Sequence, residues 1–251
     1  MSAPVVRLVH LYPEALGVSG DRGNVRTLVE RLRRGGIESE VVEHRVGDAV
    51  PSSADVVLLG HGPLSGVRSV AEDARGLRSF LDDTADSGAP VVAVGGGLEL
   101  LSRGVVTVEG ETVEGVGFFA ATSRRGAPRR TNYFQVTTTH EGDELTLYGF
   151  EDHAAHLELD ESARPFGRVV HGGGNGATGA EGIVRGTSFG TQLKGPLLPL
   201  NPVLADRVLA AALRCHGAEW APGDAHRKLD EYAAASQRVI ADNLERTFKA
   251  M

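Results

Sequence analysis

In the first hundred residues, short apolar runs alternate with longer segments of helical spacing. The apolar runs predict buried strands at residues 5–12, 56–59 and 90–94, and a weaker alternation predicts a strand at 38–44. Apolar positions recur every three or four residues at 25–34 and 67–84, and a further helix is predicted to begin at residue 98. This alternation indicates an α/β fold with a doubly wound, mostly parallel sheet flanked by helices.

The second half of the chain has a different pattern. Short strands are predicted at residues 117–122, 131–138, 144–150, 168–171, 182–184 and 188–193, and we expect them to extend the same sheet. Residues 124–130 are rich in arginine and predict a flexible loop. Helices are predicted at 202–215, with proline in the first turn, and at 224–249. We expect a single domain over residues 1–251, in which 221–251 form a C-terminal helical extension.

The last predicted helix carries an apolar stripe with two possible roles. The stripe could pack on the protein's own sheet or form a surface for a partner. Its members are Leu229, Tyr232, Ala233, Val239, Ile240, Leu244 and Phe248.

Composition excludes several classes of protein. No apolar run approaches the roughly 20 residues that cross a bilayer, and the chain does not begin like a signal peptide, so we expect a cytoplasmic protein without membrane insertion. The net charge of -7 argues against nucleic-acid binding. Cys215 is the single cysteine, which rules out an intrachain disulfide and a cysteine-based zinc site; we expect it to be buried.

Two glycine-rich loops follow predicted strands, Gly60-His61-Gly62 and Gly95-Gly96-Gly97. In open α/β sheets, ligands bind at the carboxyl ends of the strands. A strand, a sharp turn and a helix at residue 95 match the geometry of a nucleophile elbow, but glycine offers no nucleophile. The loop could instead bind an anion through backbone N–H groups at the helix start, or be only a tight turn.

Motifs along most of the chain resemble one family. The segments are His10-Leu11-Tyr12-Pro13, Gly20-Asp21-Arg22-Gly23-Asn24, Gly149-Phe150-Glu151-Asp152-His153, Gly167-Arg168-Val169, Gly174-Asn175-Gly176, Glu181-Gly182 and the run from Gly190 to Pro202. They resemble the GatD-type glutamine amidotransferase subunits, in the CobB/CobQ-like branch of the class I amidotransferases. The run from Gly190 is similar to the family's Gly-Thr-Tyr-Leu-His-Gly-Pro-Leu-Leu-Pro-Lys-Asn-Pro and is long enough to be specific.

The resemblance implies a function and a partner. In this family an elbow cysteine attacks the side-chain amide of glutamine, a histidine activates the cysteine, and backbone N–H groups bind the oxyanion. The ammonia passes to a Mur-ligase-like (MurT-like) partner, which amidates lipid II in peptidoglycan synthesis. The resemblance therefore implies a heterodimer. No cofactor is implied, and the chain has no P-loop for ATP.

The chain departs from the family at the pocket. Gly95 stands at the nucleophile position, Lys194 at the base position and Glu99 where the family has glutamine. No catalytic residue is therefore intact. The upstream oxyanion loop has become Gly60-His61-Gly62-Pro63-Leu64, and only Arg129 or Arg130 remains for the substrate clamp. A thioester cannot form without sulfur, so we expect glutaminase activity to be lost.

Other histidines near this pocket have two interpretations each. His61 could serve as a base for other chemistry or hydrogen-bond locally as a loop residue. His153 and His156 could bind a metal in principle, but His153 belongs to the family's framework and no third ligand is evident.

Three functions remain open. The chain could be a non-catalytic subunit that supports a ligase-like partner, an active amidotransferase with an unorthodox nucleophile, or a small-molecule binding protein that uses the emptied pocket. The first is favoured. In that case we expect the Lys194 ammonium to approach Glu99 or another acid and obstruct the pocket, because a buried lysine needs a compensating charge.

Overall fold

The computed structural model describes residues 4–176 and 178–246. Its strands are β1 (Val6–Leu11), β2 (Ser39–His44), β3 (Val56–Leu59), β4 (Val91–Val94), β5 (Gly104–Val106), β6 (Thr112–Glu114), β7 (Ala121–Thr138), β8 (Leu145–Leu159), β9 (Gly167–His171), β10 (Ala180–Glu181), β11 (Ile183–Arg185) and β12 (Ser188–Thr191). Its helices are α1 (Arg22–Arg34), α2 (Leu64–Gly76), α3 (Arg78–Asp86), α4 (Gly96–Leu101), α5 (Leu197–Leu200), α6 (Pro202–Arg214) and α7 (Arg227–Ala241).

The first sheet has the order β11-β12-β4-β3-β1-β2. Its pairs are parallel except β11 with β12. Alternate residues of the central strands face opposite layers: Leu58 packs in the layer of α1 and α6, and Leu59 packs in the layer of α2 and α3. The predicted α/β class, with a mostly parallel sheet flanked by helices, is confirmed.

The β-rich second half forms a sheet of its own, which corrects the prediction of one extended sheet. Its order is β10-β9-β7-β5-β6, with β8 also paired to β7. Only β11 and β12 join the first sheet. The strand predicted at 117–122 was also wrong, because β7 begins at Ala121.

The predicted loop at residues 124–130 lies within β7. Arg124 pairs across to Glu158 at 2.6 Å, and Arg129 pairs with Asp152. Cross-strand ion pairs thus replace the apolar alternation that usually marks a strand. A register shift between Arg125 and Arg130 bends the strand at this point.

The helix predicted at 67–84 is two helices, because α2 ends at Gly76 and α3 begins after Leu77. The last helix is shorter than predicted: a 3-10 turn (Asp224–His226) precedes α7. Residues 247–249 of that prediction, Phe248 included, lie outside the described residues. Cys215 is exposed at the end of α6, so the prediction that it is buried was wrong. Within residues 4–176 and 178–246, no helix is long and apolar enough to cross a membrane.

The apolar stripe of α7 is only partly buried. Ala233 and Ile240 pack inward, whereas Tyr232 is 62% exposed and Val239 57% exposed. The helix contacts α5 and β8, so the stripe packs partly on the protein itself.

Candidate functional site

Three neighbouring strands bring their carboxyl ends together at the predicted pocket. The strands β3, β4 and β12 lead into His61, Gly95 and Gln192 respectively. The two glycine loops touch closely: the Gly97 N–H donates to the Gly60 carbonyl at 2.9 Å. A Cβ added to Gly96 would lie 2.8 Å from the Gly62 nitrogen, so a side chain there would separate the loops.

The elbow at Gly95 has φ +53° and ψ -109°, a conformation that side chains rarely adopt. Its N–H donates to the Thr191 carbonyl at 2.8 Å, and the Gly96 N–H donates to His61 at 3.0 Å. Since the Gly97 N–H is also bonded within the chain, the first amides of α4 are occupied. The anion cradle considered from the sequence is therefore not formed by these amides.

His61 occupies the space above Gly95. A Cβ added to Gly95 would lie 2.3 Å from His61 Nδ1. Nδ1 accepts the Gly96 N–H, so the imidazole proton is on Nε2. Burial, and then the positive charge of Lys194, lower the pKa of His61 to about 3. The ring is therefore neutral at physiological pH and is held by a local hydrogen bond.

The His61 backbone is also fixed. Its N–H donates to Asp21 Oδ2 at 3.0 Å, and the Ser19 N–H reaches the same oxygen at 3.2 Å. Asp21 is 2% exposed, and its burial raises its pKa despite these bonds. Asp21 thus anchors the loop that presents the imidazole to the elbow.

Lys194 lies on the other side of Gly95, with its Cε 2.8 Å from the position of an added Cβ. Its backbone pairs with Phe150 in both directions, at 2.9 and 3.0 Å. Its Nζ donates to the Gln192 carbonyl at 3.2 Å and to Gln192 Oε1 at 3.1 Å. The side chain is almost completely buried, and burial lowers its pKa to about 8.

The expected approach of Lys194 to an acid is wrong. In the described parts of the chain, no carboxylate lies within 4.0 Å of Lys194 Nζ. Glu99 instead accepts from Arg125 Nη2 at 2.5 Å and from Ser123 Oγ at 3.1 Å. The guanidinium satisfies Glu99, and the amide and carbonyl of Gln192 satisfy Lys194. His61, and not a Lys194–Glu99 pair, fills the centre of the site.

A pocket of about 490 Å³ remains beside the elbow. Arg129 lines it in a two-bond pair with Asp152, at 2.8 and 3.0 Å, which holds the pKa of Asp152 below its usual value. Of the predicted pocket residues, five line this space: His61, Gly62, Gly95, Glu99 and Arg129. The other four support it from behind or beside the elbow: Gly60, Gly96, Gly97 and Lys194.

The two histidines considered as a metal pair are placed differently. His153 Nδ1 contacts the Ala155 carbonyl at 2.9 Å, and its Nε2 contacts Glu151 at 3.1 Å. His156 packs near Gly176. Over the residues that the structure describes, no group of three or more His, Cys, Asp or Glu side chains could hold a metal ion.

The CobB/CobQ-like glutamine amidotransferase domain matches residues 7–202. The chain belongs to this amidotransferase family. It is 27% identical, over 83% of its own length and 81% of the relative's, to subunit GatD of the glutamine-hydrolyzing lipid II isoglutaminyl synthase of Streptococcus pneumoniae. It is 24% identical to the same subunit of Staphylococcus aureus, over 97% and 98% of the two chains.

Solved structures show the same fold. A chain of PurLQS from Thermotoga maritima superposes with a TM-score of 0.58 at 13% identity, covering 84% of this chain and 99% of that one. The glutaminase domain of Trypanosoma brucei CTPS gives 0.55 at 10% identity, covering 87% and 97%.

The pocket residues that the sequence analysis missed include Arg125, Asp152 and Gln192. Asp152 did carry a signal, because it lies in the family-like segment from Gly149 to His153. Arg125 carried none, since residues 124–130 were predicted to be a loop. Gln192 stands where the family motif has tyrosine, in the run that begins at Gly190.

The buried lysine predicts an unusual pH dependence of stability. The native pKa of Lys194 is about 8, below the 10.5 of a free lysine, so the unfolded chain binds more protons between these values. Stability should therefore rise as pH increases from about 8 to 10.5, by about 3 kcal/mol at most. Lys194→Met should remove this rise in urea melts at pH 7 to 10. Lys228→Met, at an exposed lysine, should leave it unchanged, and equal pH profiles for both variants would refute the assignment.

Proposed function

We propose that this chain is a non-catalytic, GatD-like amidotransferase subunit that supports a Mur-ligase-like (MurT-like) partner in amide-bond formation. The observation that carries the proposal is the occupant of the elbow: Gly95 has no side chain, and the His61 imidazole fills the space where one would lie. We further propose that the chain acts in the cytoplasm as one half of a heterodimer, as a single amidotransferase domain whose residues 221–251 form a helical extension.

The backbone around the elbow also argues against glutamine hydrolysis. Acyl transfer needs free N–H groups to bind the oxyanion. Here the Gly96 N–H is bonded to His61 Nδ1, and the His61 N–H is bonded to Asp21. These two N–H groups already donate within the protein, so neither is free to bind an oxyanion.

The relatives support the family role while the site argues against its chemistry. Both GatD proteins are named as subunits of a glutamine-hydrolyzing lipid II isoglutaminyl synthase. By this likeness, the partner of our chain would be a ligase that forms an amide. Without a glutaminase, such a ligase would take free ammonia or another amine.

We expect the purified chain to release no ammonia from glutamine, alone or in complex. Staphylococcus aureus GatD with its own partner, assayed side by side, is the positive control. Ammonia release well above background that is lost in His61→Ala or Lys194→Met would contradict the proposal. It would favour an active amidotransferase with an unorthodox nucleophile.

The partner is tested by co-expression with the Mur-ligase-like protein of the same genome. A stable complex should bury at least about 1,000 Å². The complex should amidate its substrate with ammonium chloride, and glutamine should not replace the ammonium. If the chain remains monomeric when it is co-expressed with this protein, the subunit assignment is wrong.

A second candidate rests on the pocket that remains. Its volume of about 490 Å³ and its two ion pairs, Glu99–Arg125 and Arg129–Asp152, suit a small polar ligand. A small-molecule binding protein would be stabilised against heat by that ligand without any ligase. Thermal-shift screening of amino acids and small carboxylates, with Arg129→Ala as the control, separates this function from the first.

A further inference from the structure

A second cavity, separate from the pocket beside the elbow, lies between α1, α5 and α7. Its volume is about 510 Å³ and its lining is mostly apolar. Leu198, Pro199 and Leu200 line one side, and Leu229, Tyr232 and Ala233 of the C-terminal segment line the other. We refer to this cavity as the α1–α7 groove.

Polar contacts hold α7 against α1 and α5, and of the residues of α7 only Ala233 and Ile240 are buried. Arg31 Nη1 donates to Asp230 at 2.6 Å, and Gln237 Nε2 donates to the Leu200 carbonyl at 2.7 Å. Tyr232, although it lines the groove, is 62% exposed. Apolar surface is therefore left uncovered between two firmly held helices.

The groove also carries positive charge that lacks a partner. In α1, the arginines 22, 31, 33 and 34 all pair with carboxylates. Arg26, which lines the groove, has no carboxylate within 4.0 Å among the described residues. Glu30 lies beside it but is already paired to two arginines, and they hold its pKa at about 2.

A second cation lies beside Tyr232, which lines the groove. Lys228 Nζ lies 5.9 Å from the ring centroid of Tyr232 and has no carboxylate within 4.0 Å in the described part of the chain. The whole protein has a net charge of -7. Arg26 and Lys228 therefore leave two unpaired positive charges beside an apolar groove, and these charges complement an acidic partner.

We propose that the α1–α7 groove binds an apolar segment of the ligase-like partner that carries acidic side chains. The apolar residues of that segment would lie against Leu200 and Tyr232, and its carboxylates would meet Arg26 and Lys228. This inference rests on the proposed function, because it names the surface by which the subunit holds its ligase.

The test measures the affinity of the Mur-ligase-like protein from the same genome for variants of the full chain. Arg26→Glu with Lys228→Glu should weaken binding at least about tenfold, more strongly at low salt. Tyr232→Ser should weaken it at least about fivefold. Two control variants lie outside the groove. Arg168→Glu reverses the charge of another exposed arginine without a carboxylate partner, on β9, and Val108→Ser shortens another exposed apolar side chain. Neither variant should change the affinity.

Crosslinking gives a second readout at the same surface. In a chain that carries Cys215→Ser, the substitution Ser236→Cys allows a benzophenone label to be attached in the groove. The control, Ser69→Cys, carries the label on α2, on the opposite face of the sheet. Only the first label should capture a ligase peptide, and that peptide should be apolar and acidic.

The outcomes separate the two proposals. Equal binding by the wild-type chain and every variant would overturn the groove proposal and leave the subunit assignment standing. A wild-type chain that does not bind the ligase-like protein would overturn both. Capture of a peptide without acidic residues would overturn the charge complementarity on which the inference depends.

Discussion

Gly95→Cys, the change that restores the family nucleophile, is expected to destabilise this protein and to yield no glutaminase activity. The new Cβ would lie 2.3 Å from His61 Nδ1 and 2.8 Å from Lys194 Cε. Overpacking and the strained conformation at φ +53° each cost about 1–3 kcal/mol. A combined loss of about 3 kcal/mol should lower Tm by roughly 6–12 °C.

A double-mutant cycle identifies His61 as the cause. His61→Gly with Gly95→Cys should recover at least about 1 kcal/mol relative to the sum of the single changes. The clash with the imidazole disappears, whereas the close approach to Lys194 Cε and the backbone strain remain. Gly76→Cys, where an added Cβ has no neighbour within 4 Å, controls for a new thiol. Additive effects of His61→Gly and Gly95→Cys would show that the imidazole does not exclude a side chain at the elbow.

Activity should not return even in the repaired elbow. The cysteine would still lack a base, and Arg125 would still hold Glu99 in the pocket. Adding Lys194→His and Glu99→Gln supplies a base and the family's glutamine, yet we still expect little glutaminase activity, measured as ammonia release. The N–H of residue 61 stays bonded to Asp21 and so cannot bind an oxyanion.

The sequence predicted where the site lies but not what fills it. Strands β3, β4 and β12 were each predicted, and parallel strands must bring the loops after them to one edge of the sheet. The position of His61 above Gly95 depends on the loop conformation that Asp21 fixes from about forty residues away. No local pattern encodes such a contact.

Charge pairing explains the wrong prediction for Lys194. A buried lysine needs compensation, and Glu99 is one turn along α4 from the elbow. Arg125 could not be considered as a competitor, because residues 124–130 were predicted to be a loop when they lie in β7. The wrong prediction of a loop at residues 124–130 therefore led to the wrong prediction of a Lys194–Glu99 contact.

The second large effect that we expect lies at Arg31, which joins α1 to α6 and α7. Its side chain is 2% exposed. The guanidinium pairs with Asp206 through two bonds at 2.6 and 2.8 Å and reaches Asp230 at 2.6 Å. Trp220 Nε1 donates to the same Asp206 at 2.7 Å. This charge network therefore helps to hold the C-terminal segment against the domain.

Arg31→Met should cost about 3–5 kcal/mol, because removing one member of a buried ion pair leaves the others uncompensated. Tm should fall by roughly 6–20 °C, and the fluorescence of Trp220, the only tryptophan, should report release of the segment. Arg33→Met, at a guanidinium 68% exposed and paired to Glu30, should cost at most about 0.5 kcal/mol. If Arg31→Met does not fold, Asp230→Asn removes only the α7 contact, and it should increase hydrogen exchange in α7 without unfolding the first sheet. Equal stability of the Arg31 and Arg33 variants would show that α7 is held by its few buried apolar side chains instead.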